Sequence, residues 1–186
     1  MQYLKNKQMN NKYCVINNNK IYSEISKQTP LIIRQKNVDY LNYRHKLFEE
    51  LYKEYPQSEK QIKEESMIDI PPSFRLNIYK VLLGLYNNSI DIHSNTIYNN
   101  LLNKVVVDTV LEHQLDLDIP RCHQYHPLLS SIEGHNKMRR IITTWSSVNT
   151  NQSYWQGLDS VLAPFLVLTN NNESLSFHLL QSFVDK

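Results

Sequence analysis

The segment from Leu158 to Leu168 is apolar on nearly every side, and this constrains the fold more than any other part of the chain. A helix that is apolar all round needs other elements to cover it. Its unbroken apolar run from Val161 is about eight residues long, whereas a membrane span needs about 20. The segment therefore predicts the central helix of a packed core, with a kink or a local break at Pro164.

Apolar residues recur at helical spacing in several other segments, and no segment has a convincing partner strand. The predicted helices cover Tyr40 to Tyr55, a short stretch through Ile62, Pro71 to Gly84, Ile97 to Val105, the residues after Gly134 as far as Val148, and Leu175 to Phe183. Ser94 or Asn95 is expected to cap the fourth of these, and Asn171 or Asn172 the last. The low content of turn residues, three glycines and seven prolines in 186 residues, argues against a sandwich or barrel of many tight turns. The fold class predicted is all-α.

Two segments do not fit a helical pattern. Residues 1–31 are rich in Asn and Lys without a sustained period and are interpreted as an arm or linker, which leaves residues 32–186 as the folded domain. Residues 115–121 are interpreted as an ordered loop, because Pro120 biases Ile119 away from the helical region. The last predicted helix runs to the end of the sequence, so Leu179, Leu180 and Phe183 are expected to be exposed.

Charge and motifs exclude several classes of function. The 20 basic and 18 acidic residues give a net charge of +2 and form no block of one sign, so nucleic acid is not an expected partner. No glycine-rich phosphate-binding motif occurs. The two cysteines and the lack of a leading apolar segment predict a reducing, cytoplasmic location without direct membrane insertion.

The most interesting polar side chains lie at stiff points of the chain. Gln156 stands between an aromatic pair and Gly157 at a helix entrance, and Arg121 follows Pro120. Asp118 is expected to orient Arg121 through bidentate hydrogen bonds. Taken alone, Arg121 and Gln156 are better explained as an interior salt bridge and a satisfied glutamine at a helix start than as parts of a functional site.

Other candidate sites are weaker. The pair His123 and His126 lacks the further ligands of a metal motif, so no metal site is expected. Cys122 and His123 are sequence neighbours, which do not face one another as a catalytic pair must.

The spacing of these polar residues resembles that of TBC-domain GTPase-activating proteins for Rab GTPases. The two signatures of that family, IxxDxxR and YxQG, are matched by Leu115-x-x-Asp118-x-x-Arg121 and Tyr154-x-Gln156-Gly157. A third family element is matched by Ile70-Pro71, Arg75-x-x-x-Tyr79 and Leu82-Leu83-Gly84, although Tyr79 replaces the family's tryptophan. Cys122 replaces the usual threonine after the arginine. The resemblance extends from about Ile32 to the last residue.

The resemblance implies a catalytic site that is supplied to a partner rather than an independent active site. Arg121 would be an arginine finger and Gln156 a glutamine finger that orients the attacking water in the partner. The supporting residues implied are Asp118, which holds Arg121, Arg75, which supports the loop, and Tyr154 and Gly157, which direct the glutamine. The partner would be a Rab-family GTPase in the GTP-bound state, which carries the GTP and Mg²⁺, so that the chain needs no cofactor of its own.

The resemblance also implies a fold of two helical halves, of which residues 32–186 would be the N-terminal one. A missing second half motivates an alternative function, which is a catalytically silent module that binds a Rab or acts as a scaffold within a larger multidomain member of the family. A generic helical interaction domain is a third interpretation. Recruitment to endomembranes would follow from binding the Rab partner.

Overall fold

The computed structural model of the chain describes residues 30–34, 36–86, 90–106, 108–152 and 154–186, without the side chains of residues 33 and 90–94. Its helices are α1 (Leu31–Arg34), α2 (Val38–Lys53), α3 (Glu59–Ser66), α4 (Arg75–Leu82), α5 (Ile90–Leu102), α6 (Thr109–Asp118), α7 (Ile132–Val148), α8 (Leu158–Leu168) and α9 (Glu173–Val184). Short 3₁₀ turns cover Pro72–Phe74 and Ile119–Arg121. No strand occurs within these described ranges, and the predicted all-α class is confirmed. Nearly all of the predicted arm, residues 1–29, lies outside them.

The chain divides into two compact units, residues 1–75 and residues 76–186. In the first unit α2 packs against α3, and both bury apolar side chains, including Phe48 and Ile62 at 0% exposure. The ring of Phe74 lies within 6.4 Å of the rings of Phe48 and Tyr52 and within 5.0 Å of that of His45. This aromatic group fixes the 3₁₀ turn against α2.

Arg44 occupies an interior position of the first unit. It is 3% exposed, and its guanidinium donates to the Glu65 carboxylate and to the carbonyls of Glu65 and Asp69. The guanidinium also lies 5.1 Å from the centre of the Phe48 ring. A buried cation is tolerated here because it has both a counter-charge and carbonyl acceptors.

The second unit is built around α8, as the sequence predicts. Leu158, Leu162 and Leu166 of this helix are fully buried. They share the core with residues of α7 and α9, among them Met138, Ile141, Ile142, Trp145, Leu179 and Leu180. The helix runs through Pro164 without interruption. Proline has no N–H, so the carbonyl of Ser160, four residues earlier, loses its helical donor. Pro164 is exposed, and solvent can therefore satisfy this carbonyl.

The expectation that the last helix exposes its apolar face is wrong for two of the three residues named. Leu179 and Leu180 are 0% exposed because α9 packs against α5, α7 and α8. Phe183 is 51% exposed and touches Phe165 edge-on, with the ring centroids 5.8 Å apart. Among the described helices, none combines the length and the apolar character needed to span a bilayer.

The loop predicted over residues 115–121 is instead helical. Asp108 caps α6 by accepting a 2.9 Å hydrogen bond from the Val110 amide, and α6 continues as far as Asp118. Ile119 has helical angles (φ −57°, ψ −46°) in spite of the proline that follows it. The preference of a residue before proline is statistical, and the buried side chains of Leu115 and Ile119 outweigh it here.

Gly134 lies inside α7, whereas the sequence placed it before the helix. The helix is capped by Ser131, whose hydroxyl oxygen accepts a 3.0 Å hydrogen bond from the Gly134 amide. A Cβ atom on Gly134 would lie 2.0 Å from the carbonyl oxygen of Leu128. The glycine therefore permits a close approach between the helix and the preceding turn.

Two further cap predictions have opposite outcomes. Ser94 and Asn95 lie inside α5, which begins at Ile90, so neither caps that helix. Asn172 caps α9 by accepting a 3.0 Å hydrogen bond from the Leu175 amide, as predicted.

Candidate functional site

Asp118 ends α6 and is the centre of the candidate site. Its side chain is 7% exposed. Oδ2 accepts hydrogen bonds from Gln114 Nε2 at 2.8 Å and from the Tyr154 hydroxyl at 2.9 Å, while Oδ1 faces Arg121 Nη2 at 3.1 Å. The Gln114 amide, together with Tyr154 and Arg121, lowers the pKa of Asp118, and burial opposes this effect only in part. The carboxylate is therefore negatively charged at neutral pH.

Arg121 is anchored at its base and exposed at its tip. It closes the 3₁₀ turn, and its Nε donates to the Leu117 carbonyl at 2.6 Å while Nη2 donates to Asp118. Its side chain is nevertheless 68% exposed. The predicted bidentate pairing with Asp118 is wrong, because the second anchor of the guanidinium is a backbone carbonyl. The arginine is thus oriented while its remaining donors face outward.

Tyr154 joins the two sequence motifs. Its hydroxyl reaches back 36 positions along the chain to the Asp118 carboxylate. The pKa of Tyr154 is raised, first by burial and then by donation to Asp118, so the phenol keeps its proton. The family resemblance implies that Tyr154 directs Gln156, and the structure adds a direct hydrogen bond from Tyr154 to Asp118, the counter-ion of Arg121.

Gln156 is exposed in the turn that leads into α8. Gly157 caps this helix with φ 102°, a left-handed conformation that side chains with a Cβ rarely adopt. Just before the glutamine, the Trp155 ring meets the buried Trp145 ring edge-on, with the centroids 5.5 Å apart. The Trp155 carbonyl accepts a hydrogen bond from the Leu158 amide and the Gly157 carbonyl accepts one from the Val161 amide, so the backbone on both sides of Gln156 is held while Gln156 itself is exposed.

A groove of about 570 Å³ lies beside these residues. Its lining consists of Asp108, Val110, Leu111, Gln114, Ser146, Asn149, Thr150, Gln152, Tyr154 and Gln156. None of the described residues that line it is basic, so the groove itself is suited to uncharged polar groups rather than to phosphate.

Arg75 belongs to the first unit, and its Nε lies 3.4 Å from the Ile70 carbonyl. That contact fixes Arg75 against the turn before α4, and its supporting role in the site remains a prediction. In the second unit Tyr79, which stands where the family has tryptophan, packs edge-on against Phe165 at 6.4 Å.

Cys122 is a core residue rather than a nucleophile. It is 4% exposed, and burial together with the nearby Asp159 charge raises its pKa to about 12. His123 faces Tyr125 instead, with Nδ1 2.8 Å from the hydroxyl oxygen. Within the described residues, no three potential ligands are grouped as a metal site would need.

The sequence interpretation missed Gln114. Its signal was present, because Gln114 and Asp118 are four residues apart and share one face of a helix. The loop predicted for residues 115–121 concealed this spacing.

Comparisons with known proteins match most of the chain. The sequence pattern of the family described as Rab-GTPase-TBC domain matches residues 72–186. The human "TBC domain-containing protein kinase-like protein" is 43% identical over 157 residues, which cover 84% of this chain and 17% of that protein. Its counterpart in Dictyostelium discoideum is 39% identical over 144 residues, 76% of this chain and 13% of the relative. The chain thus spans less than a fifth of the length of these relatives.

A solved structure supports the same fold. The Ypt/Rab-GAP domain of Gyp1p aligns with a TM-score of 0.67 at 18% identity, over 78% of this chain and 57% of that one. At this identity the alignment shows shared architecture only.

Proposed function

Because the chain belongs to the Rab-GTPase-TBC domain family, we propose that it stimulates GTP hydrolysis by a Rab-family GTPase in its GTP-bound state. Membership of the family confirms the resemblance that the two motifs indicated. The family match implies a Rab partner, whereas the assignment of Arg121 and Gln156 as fingers is our proposal.

The observation that carries this proposal is that the Arg121 side chain is exposed and yet held in one orientation. Its side chain is 68% exposed, yet the guanidinium has two anchors, the Leu117 carbonyl and a buried Asp118 carboxylate. An exposed arginine with no function would gain little from such anchoring, because surface ion pairs contribute about 0–1 kcal/mol. A pre-oriented guanidinium is what an arginine finger requires.

The proposed chemistry is electrostatic. Hydrolysis of GTP spreads negative charge over the oxygens around the γ-phosphate, and a guanidinium placed there accelerates the reaction by about 10³ to 10⁵-fold. That factor corresponds to about 4–7 kcal/mol of transition-state stabilisation. Arg121 would enter the nucleotide site of the partner, which provides GTP and Mg²⁺.

Gln156 would orient the attacking water. A side-chain amide has both a donor and an acceptor, so it can fix a water by two hydrogen bonds. The held backbone at Trp155 and Gly157 supports this role, because a mobile glutamine would lose entropy each time it engaged the water. Arg75 and Asp118 are proposed as supporting residues.

The test is phosphate release from a panel of GTP-loaded Rabs. Arg121→Ala and Gln156→Ala should each remove most of the stimulation while the circular dichroism spectrum is unchanged. Lys60→Ala and Gln61→Ala, which remove an exposed cation and an exposed glutamine from α3, serve as matched controls. Equal rates for the wild type and both finger variants on a responsive Rab would refute the assignment.

The second candidate function is a module that binds a Rab without stimulating hydrolysis. It is favoured by one observation, which is that the chain matches only 17% of a relative named as kinase-like. Binding to a GTP-loaded Rab at an unchanged rate of hydrolysis would select this alternative.

A further inference from the structure

We propose that Gln114 is a positioning residue of this site, whose side-chain amide fixes Asp118 so that one carboxylate oxygen stays turned toward Arg121. The consequence for GTP hydrolysis rests on the proposed function. The effect on Asp118 itself follows from the hydrogen bonds alone.

The two oxygens of the Asp118 carboxylate have different hydrogen-bond partners. Gln114 and Tyr154 both donate to Oδ2, at 2.8 and 2.9 Å, and Arg121 Nη2 lies 3.1 Å from Oδ1. A carboxylate is a flat group that turns about a single bond. Two donors that converge on Oδ2 from different elements define its plane, and Oδ1 is left for the arginine.

A second donor is needed because Asp118 is buried and its cationic partner is not. The Asp118 side chain is 7% exposed and that of Arg121 is 68% exposed. When the guanidinium turns toward a nucleotide, a buried carboxylate with no other donor would be costly. Gln114 and Tyr154 keep Asp118 satisfied, so Arg121 can redistribute its hydrogen bonds without that penalty.

The position of Gln114 also links the arginine to the glutamine site. Gln114 lines the 570 Å³ groove together with Tyr154 and Gln156. Gln114 therefore contacts Asp118, the counter-ion of Arg121, and also lines the groove beside the proposed glutamine finger.

Among the described residues, few other ionisable groups act on this network. Arg121 and Tyr154 bear directly on Asp118, and the charge of Asp159 acts on Tyr154. The Gln114 amide is the largest influence that keeps the pKa of Asp118 low. Removing it should therefore raise that pKa.

The first test compares Gln114→Ala with Gln61→Ala, an exposed helical glutamine of the first unit. We expect Gln114→Ala to lower kcat of the stimulated reaction at least about 10-fold, the lower limit for one hydrogen bond to a charged group. The KM for the Rab should be unchanged. In an Arg121→Ala background the same substitution should have no further effect, because Gln114 acts through the arginine. An equal loss in both backgrounds, or no loss in either, would overturn the proposal.

Gln114→Glu keeps the size of the side chain and removes its donor at neutral pH. We expect it to lose at least as much activity as Gln114→Ala, because a second carboxylate then faces Asp118 Oδ2. Wild-type activity in this variant would contradict the proposal and would not be explained by misfolding.

The final test does not depend on GTP hydrolysis. The carboxyl carbon of Asp118 can be titrated by ¹³C NMR in the chain alone, before and after Gln114→Ala. A pKa that rises in the variant supports the positioning role, and an unchanged pKa overturns it. If the wild type stimulates no Rab, the proposed function fails while this titration still decides the role of Gln114.

Discussion

The Tyr154 hydroxyl donates a 2.9 Å hydrogen bond to the buried carboxylate of Asp118, across 36 positions of the chain. One bond thereby connects the entrance of α8 to the end of α6. Asp118 in turn contacts Arg121, so the two sequence motifs meet at the Asp118 carboxylate. The arginine and the glutamine segments are consequently parts of one hydrogen-bonded structure.

Tyr154→Phe should weaken both the site and the fold. The substitution removes one of two donors from Oδ2 of a buried charge, which typically costs about 1–3 kcal/mol. The free energy of unfolding, measured by urea titration at pH 7, should fall by that amount, and stimulated hydrolysis should fall with it. Tyr125→Phe is the control, because Tyr125 is 83% exposed and the hydrogen bond of its hydroxyl with His123 lies at the surface, so its loss should change stability by less than about 0.5 kcal/mol. Equal stability of the Tyr154→Phe variant and the wild type would show that the bond contributes nothing.

Arg121→Lys should lose most of the stimulated hydrolysis even though it keeps the positive charge. The guanidinium contacts the Leu117 carbonyl through Nε and Asp118 through Nη2 and still has donors that face outward. One ammonium cannot reproduce this planar fork. We expect at least about a tenfold loss in single-turnover phosphate release, towards the level of Arg121→Ala. Near-normal rates would indicate that the residue only steers the partner by its charge.

The helical class and the central helix were predictable because they depend on local periodicity. Leu158, Leu162 and Leu166 recur at helical spacing, and their burial needs no knowledge of the partner helices. The cap at Asn172 was predictable for the same reason, since capping is a contact within one turn.

The network around Asp118 was not predictable from the residues alone. The bond to Tyr154 joins elements 36 residues apart, and its length depends on how α6 and α8 pack. Gln114 was missed because a preference of the residue before proline was given more weight than the burial of Leu115 and Ile119. The burial of Arg44 was likewise hidden, because its acceptors Glu65 and Asp69 are distant in sequence.

Gly134 and Gly157 should respond differently to alanine, because they are required for different reasons. An alanine inside a helix normally stabilises it by about 1 kcal/mol relative to glycine. At Gly134, however, the new Cβ would lie 2.0 Å from the Leu128 carbonyl oxygen, so we expect a loss of at least about 2 kcal/mol. At Gly157 no atom lies within 4 Å of the new Cβ, and only the left-handed backbone costs energy, about 1–2 kcal/mol.

Urea unfolding of Gly134→Ala and Gly157→Ala, side by side, distinguishes these two costs. Gly157→Ala should also lower stimulated hydrolysis more than its stability loss explains, because the turn it changes holds Gln156. A stabilised Gly134→Ala variant would contradict the close contact with Leu128.

The stability contributed by Asp118 should disappear in acid. Its pKa is lowered in the folded chain from the ordinary value of 3.8, chiefly by the Gln114 amide, with Tyr154 and Arg121 adding to the effect. A carboxyl whose folded pKa is depressed stabilises the fold above its unfolded pKa, and this stabilisation is lost as the pH falls through the folded value. Asp118→Asn should therefore be less stable than the wild type at pH 7, by about 1–3 kcal/mol. The NH₂ group of the new amide would face a donor group of Gln114, Tyr154 or Arg121 instead of accepting a hydrogen bond from it. The gap should narrow as the pH falls below 3.8. Urea unfolding of both proteins from pH 7 down into this range measures it, and a gap that stays constant or widens in acid would show that the Asp118 charge is not what its neighbours stabilise.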